Sequence, residues 1–171
     1  MSFHRIDLIR ATTALALLLL LAGCASIPAP LAGEYADFQP EQATERSLGA
    51  EVRWGGSIVD TRPGQSETCL EILARDLDSS LRPVSGDMSY GRFLACREGF
   101  QDPAVFTQGR DVTVVGRLTA FTQDTIGEFV YRYPRLDTSA IYLWPERPDV
   151  IYMDNYPYRG PWWPYMGPWW Y

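Results

Sequence analysis

The chain has 171 residues, of which 46% are hydrophobic and 13% aromatic, enough for one folded domain with extensions. All 15 basic residues are arginine and the net charge is −6, which repels a phosphate backbone and makes nucleic acid an unexpected partner. The one histidine, His4, stands so near the start that a chain shortened by export processing has none, which removes His triads and His-ligated metal sites.

The first element is an export signal over residues 1–23. Met1 to Arg10 is short and polar, with Arg5 and Arg10. Ala11 to Leu21 is nearly all apolar and ends in five leucines. Leu21-Ala22-Gly23-Cys24 follows, small residues before a cysteine. This run resembles the bacterial lipobox, in which a thiol accepts a diacylglyceryl group and the signal is cut just before it. The resemblance makes Cys24 the lipidated N-terminus and Leu21, Ala22 and Gly23 its recognition residues. The apolar core is about half the length a membrane-spanning helix requires. Buried acyl chains contribute about 0.8 kcal/mol per CH₂, so two chains suffice for stable anchoring. Removing residues 1–23 deletes Arg5, Arg10 and Asp7 and leaves a net charge of −7. Ala25 replaces the Asp that, in enterobacterial lipoproteins, favours inner-membrane retention, so the outer membrane is the expected destination.

Residues 24–45 read as a linker, rich in Pro and Ala, extended or loosely structured. From Val52 the pattern changes to period two: Val52, Trp54, Gly56 and Ile58 share a face. Gly55-Gly56 within that strand implies a bend of the kind a closed barrel needs. Arg62 to Gln65 is a turn. Thr68–Ala74 and Arg92–Arg97 are the next strands, with Leu70, Ile72, Phe93 and Ala95 inward and a polar loop between them. A loop over Gln101–Gly109 leads to the clearest strand, Asp111–Phe121. Phe129–Tyr133 and Leu136–Trp144 follow, divided by a turn at Pro134. The chain is therefore all-β, a small five- to six-stranded OB-like barrel over residues 46–145, with a two-sheet sandwich as the alternative. Residues 146–171 form a Pro/Trp/Tyr-rich tail, extended and partly disordered. Its aromatics suit a membrane interface or a partner, or packing back onto the barrel; glycan stacking is a weaker option.

The barrel segment resembles the Slp family of starvation-inducible outer-membrane lipoproteins. The resemblance is carried by Val52-Arg53-Trp54-Gly55-Gly56 with Ile58-Val59-Asp60, by Leu70 to Leu73, by Gly91 to Ala95 and by Asp102 to Val105. Val112 to Gly116, Ile126 to Glu128 and Tyr142 to Pro145 complete it. It covers residues 45 to 145 and the lipobox. It implies outer-membrane attachment and a link to starvation or envelope stress, and no catalytic residues or cofactor.

Outside the pattern stand Cys69 and Cys96. A hairpin pairing Ile72 with Phe93 sets Leu70 opposite Ala95 and Cys69 opposite Cys96, on the face away from the core. A disulfide there suits an oxidising compartment, with two free thiols as the alternative and no basis for a metal site. Trp54 with Gly55-Gly56 fills the core or, less simply, forms a ligand surface. Asp60 and Glu128 read as solvated turn residues before catalytic carboxylates. The expected role is non-enzymatic, structural or stress-protective, with the domain in the periplasm. The rival is a lipid-tethered ligand- or glycan-binding module.

Overall fold

Alternating apolar residues give five strands: β1 (Glu51–Pro63), β2 (Glu67–Arg75), β3 (Arg92–Glu98), β4 (Asp111–Ile126) and β5 (Phe129–Leu143). In the computed structural model, which describes residues 27–147, they close into a barrel of order β1-β2-β3-β5-β4. All neighbours are antiparallel except β3 and β5, which run parallel over Leu94–Cys96 and Arg135–Asp137. This is the strand order of a closed five-stranded OB-type barrel, and it excludes the two-sheet sandwich. The predicted export signal, Cys24 and residues 148–171 of the aromatic tail lie outside the described residues.

Closure depends on β1. Its first half pairs with β4 and its second with β2, and Gly55 to Ser57 pair with both. A strand shared between two neighbours must coil sharply, and a bulge between Ile58 and Asp60 adds to the bend. At Gly56 a Cβ would stand 1.9 Å from the carbonyl oxygen of Leu73, so only glycine allows β2 this close.

Inward residues fill the interior. Val52, Trp54, Ile58, Leu70, Ile72, Phe93, Val112, Val114, Leu118 and Leu136 form one buried cluster. Trp54 meets Phe38 and Phe93 edge-to-face and donates its indole N–H to the Phe38 carbonyl. The barrel is thus packed with side chains, and Trp54 is a core residue, not a ligand surface.

Three sequence expectations need correction. The two segments divided at Pro134 are one strand, so the barrel has five strands and not six. Pro134 faces Phe121, and the ladder to β3 begins only at Arg135. The missing proline N–H therefore falls where β3 needs no donor. Second, the β4–β5 hairpin continues to Ile126 and Phe129, beyond the predicted end at Phe121. Third, the expected spacer is packed onto the barrel from residue 29 onward. Short 3-10 turns at Ala29–Leu31, Pro40–Gln42 and Glu45–Ser47 alternate with extended chain. Leu31 is fully buried against Val115 and Trp144, Ala36 bridges to Val52, and Phe38 packs on Trp54. Proline restricts the backbone without excluding burial, and the few apolar residues here cover what the barrel leaves exposed. Among the described residues no helix is long and apolar enough to cross a membrane.

Candidate functional site

In OB-type barrels the outer face of β2 and β3, flanked by the β1–β2 and β4–β5 connections, is the usual ligand platform. Here that face holds Glu71, Cys69, Leu94 and Cys96, and the long β4–β5 hairpin folds over it. Ile126, Tyr131 and Tyr133 pack with Cys69 on Leu94 and Cys96 as a small second apolar cluster. The Tyr131 hydroxyl accepts the Arg92 backbone N–H, 2.9 Å. The far ends of the platform meet where Arg62, near the β1–β2 turn, reaches Asp124 on the hairpin at 2.7 Å.

At the centre of this covered face is Glu71, 2% exposed. Its carboxylate accepts from Arg62 at 2.5 Å, Arg92 at 2.7 Å and the Tyr133 hydroxyl at 3.1 Å. Burial disfavours an isolated carboxylate, and two guanidiniums with a phenol supply what water would have supplied. The partners respond accordingly. A hydrogen bond to Asp60 foremost, then one to Asp124 and the charge on Glu71, outweigh burial and hold Arg62 charged above its ordinary range. The bond to Glu71 does the same for Arg92. Burial, followed by the charge on Glu71, pushes the Tyr133 phenol above 10.0. Such a network fixes position; it has no free acid or base to act on a substrate.

In the same layer, Cys69 lies directly opposite Cys96 in the β2–β3 register, beside the Leu70–Ala95 and Ile72–Phe93 pairs. Their sulfurs are 2.00 Å apart, the arrangement of a disulfide. Glu67 is close to both sulfurs, but its carboxylate takes Arg135 at 2.8 Å. The two carboxylates singled out in the sequence are not brought together. Asp60 is exposed near the end of β1, just before the β1–β2 turn, and pairs with Arg62, while Glu128 is exposed at the hairpin turn. Glu71 escaped the sequence reading because it occupies an outward strand position, where a charge normally meets water. Only the hairpin covering it makes it buried, and that depends on β4 and β5 being longer than their hydrophobic pattern.

A second concavity lies at the end of the barrel where the β2–β3 and β3–β4 loops meet the exit of β5. It is a cleft of about 520 Å³ whose lining includes Arg75, Arg82, Arg110 and Arg147 with Asp111 and Glu146. None of these residues stood out in the sequence, because they come from four separate segments.

A family model described as the outer membrane lipoprotein Slp family matches residues 21–170. An uncharacterized lipoprotein of Escherichia coli K12, YeaY, is 34% identical over 154 residues, covering 85% of this chain and 79% of the relative. The outer membrane protein Slp of the same organism is 29% identical over 136 residues, 76% of this chain and 72% of the relative. A small single-stranded DNA-binding protein of Streptomyces coelicolor superposes with a TM-score of 0.34 at 16% identity, over 56% of this chain and 94% of its own, too distant a likeness to bear on fold or ligand. The match extends from Leu21 through the whole barrel, and the chain belongs to the outer membrane lipoprotein Slp family.

Proposed function

We propose that this outer-membrane lipoprotein is held in place by diacylglyceryl on Cys24 and acts there without catalysis, as a structural or interaction protein in the envelope's response to starvation or stress. The observation that carries this reading is the family match, which begins at Leu21, the first residue of the lipobox-like run. The structure supports the non-catalytic part. The barrel interior is filled by side chains, and the usual OB platform is covered by the protein's own hairpin. The sequestered carboxylate there, Glu71, is consumed by two arginines and a tyrosine. In this reading the barrel lies in the periplasm, and the Cys69–Cys96 bridge forms in that oxidising compartment.

The test pairs a deletion strain with Cys24→Ser. Expected are reduced survival of prolonged nutrient starvation in the deletion strain and rescue by the wild-type gene but not by Cys24→Ser, whose product leaves the outer-membrane fraction. Full rescue by a Cys24→Ser protein that stays in the outer membrane would remove the anchor from the account. Unchanged survival of the deletion strain under starvation and envelope stress would remove the stress role.

A further inference from the structure

We propose that the arginine-lined cleft at the end of the barrel is a binding site for a phosphate-bearing group. Four guanidiniums, from Arg75, Arg82, Arg110 and Arg147, line one cleft of about 520 Å³ in a chain whose net charge is −6. Two carboxylates, Asp111 and Glu146, share that lining.

Among the described residues the ion pairs leave positive charge unmatched. Arg82 and Arg147 converge on a single oxygen, Asp111 Oδ2, at 3.3 and 3.1 Å. Among the described residues Arg110 pairs only with Glu146, 3.6 Å away and largely exposed, and its buried Nε has no hydrogen-bond partner. Arg75 donates to the carbonyls of Gly86 and Met88, which hold it in place without neutralising it. The others are held by carbonyls as well: Arg82 by Pro145, Arg110 by Trp144 and Arg147 by Pro83. The Arg82 guanidinium also lies 5.8 Å from the centre of the Trp144 ring.

Guanidiniums fixed through carbonyl contacts, short of carboxylates and gathered in one concavity, match the geometry of phosphate oxygens, which accept paired N–H donors. The volume falls in the range of small-ligand sites and exceeds what an inorganic anion fills. The group is therefore a phosphate monoester or diester, supplied by a lipid headgroup or by a soluble phosphate.

The test is calorimetric titration of the acylated protein beginning at Cys24, in nonionic detergent. The probes are inorganic phosphate and, separately, phosphatidic acid carried in the same detergent. Saturable binding is expected, weakened roughly tenfold or more by Arg75→Gln and by Arg110→Gln. Binding of phosphatidic acid alone assigns the site to a headgroup, and binding of inorganic phosphate shows that the phosphate group is recognised without a lipid, as a soluble phosphate ester requires. If Arg110→Gln does not fold, Arg75→Gln decides, because the Arg75 contacts are to its own loop. Absence of saturable binding to both probes, or binding unchanged in a folded Arg75→Gln protein, would overturn the proposal.

Discussion

Replacing Glu71 by alanine tests the covered face of the barrel most severely. Three donors lose their acceptor together, and they lose unequal amounts. Arg62 keeps Asp60 at 2.8 Å and Asp124 at 2.7 Å, and with 42% of its side chain exposed it rehydrates easily. Arg92 is 27% exposed, and Glu71 is the carboxylate it pairs with. The Tyr133 hydroxyl is buried with Glu71 as its acceptor. Breaking a fully buried ion pair destabilises by about 3–5 kcal/mol. Stranding a buried hydroxyl adds about 1–3 kcal/mol. Solvent access at both arginines, and the two carboxylates Arg62 keeps, remove most of the first contribution, so about 2–4 kcal/mol is expected for Glu71→Ala. With a urea m-value of about 2 kcal/mol/M, the unfolding midpoint falls by roughly 1–2 M at unchanged slope. Glu71→Gln, which keeps an acceptor but loses the charge, should lie between wild type and Glu71→Ala. A midpoint within about 0.3 M of wild type for Glu71→Ala would refute the reasoning, since it would mean the carboxylate is solvated and the hairpin does not seal the face.

Reduction of the Cys69–Cys96 bridge, which closes a loop with a sequence separation of 27, should lower stability by about 3.5 kcal/mol on chain-entropy grounds, read as a fall in the urea midpoint with reductant. An unchanged midpoint would mean that the two thiols are free. Because the folded Tyr133 phenol titrates above its unfolded value, its contribution is complete below about pH 10 and is lost as pH rises through the folded value. Unfolding midpoints should therefore fall above about pH 10, less steeply in Tyr133→Phe; equal slopes would show that burial of the phenol is not responsible. Gly56→Ala drives a methyl into the Leu73 carbonyl and should cost about 3 kcal/mol or more, or prevent folding, whereas a stable variant would contradict the close approach of β1 and β2.

Much of the barrel was legible because burial on one face of a strand writes itself as period two. Val52, Trp54 and Ile58, Leu70 and Ile72, Phe93, Val112 and Val114 all lie inward, where alternation places them. The β2–β3 register followed from aligning the apolar residues of two neighbouring strands. Glycine doublets carried the closure, since Gly55-Gly56 lies where β1 changes partners. What escaped was set by tertiary contact. Proline is a poor strand residue only where both neighbours need its N–H, and Pro134 stands at the end of one ladder. The segment over residues 24–45 reads as a linker by composition, yet its Leu31 and Phe38 each find an apolar surface that no local pattern foretells. The candidate sites were harder still. Glu71 looks solvated until a distant hairpin covers it, and the four cleft arginines are gathered only by the fold.

The measurement that bears most directly on the central claim is the intact mass of the protein extracted from outer membranes, before and after reduction. The account predicts the chain beginning at Cys24 with acyl groups attached, and a gain of two hydrogens on reduction. An unmodified chain that retains residues 1–23 would contradict anchoring through Cys24 and leave the five-stranded barrel without the attachment proposed for it.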